Sequence, residues 1–138
     1  MTQLVDDQWL GAILRGEPPP MPDDDVFTTG YWYVRLCQAV LNAGDRTGVL
    51  SSPFASLPDH ARASAVRAVL ELPKPIGLVS LRELAALIGQ LRRHRLNILG
   101  MEALAAAVHL RARVVLAVPS PRLAQALQQE GCDVTITG

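Results

Sequence analysis

At 138 residues the chain is one domain's worth of sequence, and 49% hydrophobic content with a mean hydropathy of +0.20 excludes a disordered or low-complexity protein. Aromatic residues make up only 4%, so aliphatic side chains and alanine must fill the core, and zero formal net charge argues against a nucleic-acid binder driven by bulk charge. The zero conceals an asymmetry: residues 1–25 carry six acids against Arg15 alone, a net of −5, and the remainder carries +5.

In chain order, Leu4, Val5, Trp9, Leu10, Ile13 and Leu14 fall on one side of a short helix, with Asp6, Asp7 and Arg15 facing outward. Gly16 stops it, and "EPPPMPDDD" is an extended linker. Residues 1–22 therefore read as an acidic amphipathic leader that docks on the domain or on a partner, and residues 23–138 as the domain itself. Val26-Phe27 is a short strand running into Thr28-Thr29-Gly30, and apolar residues at helical spacing predict a helix over 31–43, with Asn42-Ala43-Gly44 as its end. Asp45 is a turn residue, and "DRTGVLSSPFASLPD" is a loop with room for one helical turn. Asp59 can cap a helix to about Leu72, Ile76 to Val79 is a buried strand, and Ser80 caps a helix from Leu81 to about Arg93. A helix over Met101 to Leu110, a strand over Arg113 to Val118, a capped helix in "PSPRLAQALQQEG" and a final strand over Asp133 to Thr137 complete the pattern.

Strands alternating with helices imply crossover connections, and so an α/β three-layer α/β/α sandwich around a parallel sheet of about four strands. A site in such a fold belongs at the carboxyl ends of the strands, near Thr28, Ser80 and Val118 to Ser120. No GxGxxG, P-loop or nucleophile-elbow string is present. Cys37 and Cys132 form no metal-binding pair by spacing, and neither do His60, His94 and His109. No apolar run reaches ~18 residues and the early aspartates interrupt any signal-peptide core, so the expectation is a soluble, cytoplasmic chain without membrane contact.

"VFTTGYWYVRL" resembles the opening of PIN-domain proteins, in which a hydrophobic strand ends in Asp-Thr-Ser or Asp-Thr-Asn before the first helix. "EALAAAVHLRARVVLAVPSPRLAQALQQEGCDVTI" is similar to the C-terminal half of that family, so the resemblance covers roughly residues 26 to 137. PIN proteins are commonly metal-dependent ribonucleases, many of them toxins of toxin–antitoxin pairs. Their chemistry gathers three or four carboxylates on Mg²⁺ or Mn²⁺, which take oxygen ligands and make a hydroxide nucleophile from water.

On that resemblance the first-strand acid matches Thr28 and the acid of the last turn matches Ser120. The acid heading the alanine-rich helix matches Gly100 if helix length is preserved, or Glu102 if the alanines are aligned. Glu71 and Glu83 correspond to the family's middle glutamate only by rough position, and Asp25 is a neighbour that would have to swing in. A neutral hydroxyl cannot replace a carboxylate at a divalent ion, so the expectation is a degenerate PIN-like domain: noncatalytic, without cofactor, acting on a protein partner or on itself, with the leader helix as contact element. The alternative is a weak Mg- or Mn-dependent ribonuclease using Glu102 with recruited acids. Arg92, Arg93 and Arg95 are candidate nucleic-acid contacts, with RNA the candidate partner, against the simpler role of compensating a helix dipole. Thr28, Thr29, Ser80 and Ser120 together would make a neutral, hydroxyl-bearing cleft.

Overall fold

The computed structural model describes residues 1–42 and 48–137. The strands are β1 (Thr2–Val5), β2 (Asp25–Thr28), β3 (Gly77–Leu78), β4 (Arg113–Leu116) and β5 (Val134–Ile136). The helices are α1 (Asp7–Leu14), α2 (Gly30–Leu41), α3 (Ser52–Ala55), α4 (Asp59–Leu70), α5 (Leu81–Gln90), α6 (Ile98–Leu110) and α7 (Pro121–Gln129), with a 3-10 turn over Arg92–His94. All described strand pairs are parallel, in the order β3-β2-β1-β4-β5. The architecture is the three-layer α/β/α sandwich that strand–helix alternation implies, with five strands among the described residues where about four are expected.

The additional strand comes from the segment read as a leader helix. Thr2–Val5 is the centre of the sheet, with Leu4 beside Phe27 of β2 on one flank and beside Val114 of β4 on the other. Successive strand residues face opposite layers. Leu4 accordingly packs with Val114, Leu116 and the α5–α7 side, while Val5 packs with Leu10, Leu14, Leu36, Phe54 and Val69. Two fully buried aliphatic side chains are worth about 2 kcal/mol each, and solvent on neither side makes this strand central. Helix α1 begins only at Asp7, capped by Asp6. Its apolar side is buried in the second of these layers, so it is not free to serve as a contact element for a partner.

The first layer is built on α6, whose Ala103, Ala105, Ala106 and Ala107 are fully buried; short side chains let neighbouring elements approach closely. At the β2–β3 edge, Gly77 lies opposite Phe27. A Cβ there would sit 2.3 Å from the Phe27 ring, so only glycine fits under it. Helix α2 is C-capped at Asn42; the expected terminus at Ala43-Gly44 and the turn at Asp45 lie outside the described residues.

The amino end of the sheet is closed by polar side chains. Gln3, fully buried, donates from Nε2 to the Met21 carbonyl at 2.6 Å and accepts at Oε1 from the Met21 N–H at 3.1 Å. Asp24 pairs with Arg113 Nε at 2.9 Å, its side chain only 9% exposed, and is a structural partner rather than a solvated linker residue.

Candidate functional site

The strand order reverses direction between β1 and β4, and their carboxyl ends diverge there, the place where α/β sheets open a crevice. A cleft of about 630 Å³ occupies that position. Asp6, Asp7 and Gln8 of the β1–α1 junction, Trp32 and Arg35 of α2, and Val118 to Ser120 after β4 are among its walls.

The acid that ends the first strand is Asp6, not a residue at Thr28. Because residues 2–5 form β1, Thr28 terminates the second strand, and its Oγ1 donates to the Val5 carbonyl at 2.9 Å, tying the β2 end to the β1 end. Asp6 and Asp7, expected on an outward helix face, are 3% and 5% exposed. Asp6 Oδ1 accepts from the Trp9 N–H at 3.0 Å as the N-cap of α1. Its Oδ2 accepts from Ala117 N–H at 2.8 Å and Val118 N–H at 3.3 Å, bridging the gap where the two strands part. Burial pushes the Asp6 carboxyl above its ordinary value, opposed by these three N–H donors and by Arg35.

Asp7 is held differently. It faces Arg35 Nη1 at 3.4 Å, and its Oδ2 is buried without a hydrogen-bond partner. Burial raises its carboxyl, the neighbouring Asp6 charge adds to the rise, and Arg35 works against both.

Glu102 lies on α6, one turn inside a helix that starts at Ile98 rather than Met101, capped by Asn97 through the Gly100 N–H at 2.8 Å. Gly100 is therefore a first-turn backbone position whose N–H donates to the Asn97 cap. Glu102 is 2% exposed and its Oε1 accepts from the Tyr31 N–H at 2.8 Å. Thr29 Oγ1 accepts from Trp32 N–H at 3.2 Å in the same turn, so two side chains from opposite directions cap α2. A Cβ at Gly30 would lie 3.3 Å from Glu102 Oε2, close enough to crowd the carboxylate.

The other sequence candidates scatter. Ser120 is the N-cap of α7 by position and lines the cleft, but its side chain makes no cap hydrogen bond. Asp25 begins β2, at the opposite end from Thr28, and is exposed. Glu71 lies at the end of α4 beside Arg67, and Glu83 in the first turn of α5, 3.7 Å from His109. Asp59 follows the N-cap Pro58 rather than occupying the cap. Arg93 and His94 both engage Glu130 at the end of α7, His94 Nε2 at 2.8 Å. Arg92 donates to the Gly89 carbonyl, and Arg95 holds a left-handed backbone whose carbonyl accepts from Arg122. None of Arg92, Arg93 and Arg95 is among the described residues lining the cleft. Within Tyr31-Trp32-Tyr33, Trp32 is core, Tyr33 donates its hydroxyl to the Val69 carbonyl at 2.6 Å, and Tyr31 is exposed.

This donor set does not fit a divalent ion. Both oxygens of Asp6 and one of Glu102 are engaged by backbone N–H groups, and the open oxygen of Asp7 faces a guanidinium. Among the described residues no group of three or more His, Cys, Asp or Glu side chains is placed to hold a metal. Sequence reasoning missed Asp6, Asp7 and Arg35. A signal for the first was present: an apolar pair followed by Asp-Asp is both a strand end and a helix N-cap with an acidic first turn. No protein-family model matches the chain, and no curated protein is significantly similar to it.

Proposed function

We propose that this protein is a noncatalytic PIN-like domain that acts by binding a protein partner or a second copy of itself. The observation that supports the reading is the commitment of Asp6 and Glu102 to backbone N–H groups: each does for the fold what a ligand carboxylate would do for an ion. Beside the cleft, α2 turns Tyr31, Val34 and Leu41 to solvent at 44%, 51% and 66% exposure, with Val118 on the cleft wall also exposed. Apolar side chains recurring on one helix face are the kind of surface a protein contact covers.

Two measurements test the halves of this reading. Incubation of a mixed-sequence RNA with the protein and Mn²⁺ or Mg²⁺ should give no cleavage above that of a Glu102→Gln control. Cleavage that disappears in Glu102→Gln or Asp6→Asn would overturn the noncatalytic assignment and restore the ribonuclease alternative. Light scattering alone, or with a partner recovered by affinity capture, should show a complex that Val34→Lys weakens at least tenfold. A complex indifferent to Val34→Lys and Leu41→Lys would remove the α2 face from the account.

A further inference from the structure

β5 is an edge strand: among the described residues it pairs with β4 alone, and its outer side is open. We propose that this edge is an interface between two copies of the chain, which pair β5 antiparallel to β5 about a twofold axis through Thr135. The proposal goes beyond the binding reading above and does not rest on the α2 face.

The backbone decides which groups are on offer. The Asp133 carbonyl accepts from the Val114 N–H at 2.8 Å, and the Thr137 N–H donates to the Leu116 carbonyl at 2.9 Å. Alternate residues of a strand direct their backbone groups to the same neighbour. Asp133, Thr135 and Thr137 therefore serve β4, while Val134 and Ile136 present N–H and C=O to the open edge. Set antiparallel about Thr135, Val134 of one copy meets Ile136 of the other, and each such pair exchanges both of its bonds. Thr135 then faces Thr135 at the close, non-hydrogen-bonded position, where a Thr–Thr pair is favourable. Asp133 falls opposite Thr137, so no like charges are opposed. Val134 and Ile136 share one face of the strand; Val134 packs against the α6 layer, and Ile136 is 49% exposed where Val134 of the second copy would lie beside it. Trp9 Nε1 donates to the Thr137 carbonyl at 3.0 Å, which fastens the strand end to α1 in advance of any contact.

The opposite edge refuses such pairing. β3 has only Gly77 and Leu78, and Pro73, Lys74 and Pro75 precede it, residue types that blunt an edge. Val134 to Thr137 carry neither proline nor charge. A contact that uses β5 on both copies consumes the open edges and leaves only blunted ones outside, so assembly closes as a dimer.

The test is light scattering over a range of protein concentrations on the unmodified chain, Thr135→Lys, Thr135→Glu, Ile136→Pro and Val34→Lys. The unmodified protein should be a dimer in equilibrium with monomer. Thr135→Lys and Thr135→Glu each set like charges face to face, and Ile136→Pro deletes an outward N–H without touching the β4 ladder, so each should weaken the dimer at least about tenfold. An equal mixture of Thr135→Lys and Thr135→Glu should restore it, because a twofold axis through residue 135 brings the two substituted positions together. A monomer at every concentration would overturn the inference, and the noncatalytic reading with a different protein as partner would stand. A dimer weakened by Val34→Lys but indifferent to Thr135→Lys would overturn it too, and would place self-association on α2. A mixture that associates no better than either variant alone would overturn the pairing about Thr135.

Discussion

The two ends of the central strand treat their buried polar groups differently. At the amino end Gln3 is a neutral amide whose oxygen and nitrogen both find partners on Met21, and Asp24 and Arg113 neutralise each other at 2.9 Å. At the carboxyl end Asp6 is satisfied by three N–H groups, but Asp7, on the cleft wall, and Glu102, on α6, each keep an oxygen buried without a hydrogen bond. At the amino end the buried atoms without a hydrogen bond, Asp24 Oδ2 and Arg113 Nε, are opposite charges that face each other directly. At the carboxyl end Asp7 faces Arg35 at the longer distance of 3.4 Å, and Glu102 keeps an oxygen with no partner at all among the described residues.

Substitutions at the two ends can break or sharpen this contrast. The largest effect is expected at Asp6: removing the acceptor of three backbone N–H groups by Asp6→Ala should cost about 3 kcal/mol in urea unfolding. A cost below about 0.5 kcal/mol would show that the strand ends do not depend on the bridge. Gln3→Ala, its counterpart, should cost about 2 kcal/mol by leaving the Met21 N–H and carbonyl unpaired. At Glu102 the two readings separate, because Glu102→Ala should cost about 2 kcal/mol whereas Glu102→Gln, whose carbonyl can still accept from Tyr31, should cost less than about 1 kcal/mol.

The smallest effect is the pH dependence of Asp7. Its folded carboxyl titrates above its unfolded value of 3.8, so the folded state binds more protons in that window. The associated stability is fully present below the unfolded value and is lost as pH rises through the folded one. Asp7→Asn should therefore flatten the fall in unfolding free energy between acid and neutral pH. An unchanged slope would place the titrating charge elsewhere, with Asp6 the next to examine.

Much of the fold is legible in the sequence because its signals are unambiguous. Arg113–Leu116 is a run of β-branched and aliphatic residues bounded by a helix and a turn, and α5 carries Leu84 and Leu87 at helical spacing with Ser80 before it. Residues 2–5 fail for a physical reason. Leu4 and Val5 are a lone apolar pair directly before a helix, and four residues are too few for period 2 to stand out against the period of 3.6 that follows. Without β1 in the pattern, the end of the first strand falls at Thr28 and Asp6 sits on a helix. Glu102 is visible as an acid in a helix start, but its partner, the Tyr31 N–H, is 71 residues away and no local pattern announces it. Arg35 is equally silent, since a lone arginine on a helix face is ordinarily solvated.

The most direct test of the central claim is a calorimetric titration of Mn²⁺ into the unmodified protein at neutral pH. With Asp6 and Glu102 bound to backbone N–H groups and Asp7 facing Arg35, the heats should not exceed those of dilution. Saturable binding at one or two sites, abolished by Asp6→Asn, would show that these carboxylates still converge on an ion and would contradict the account.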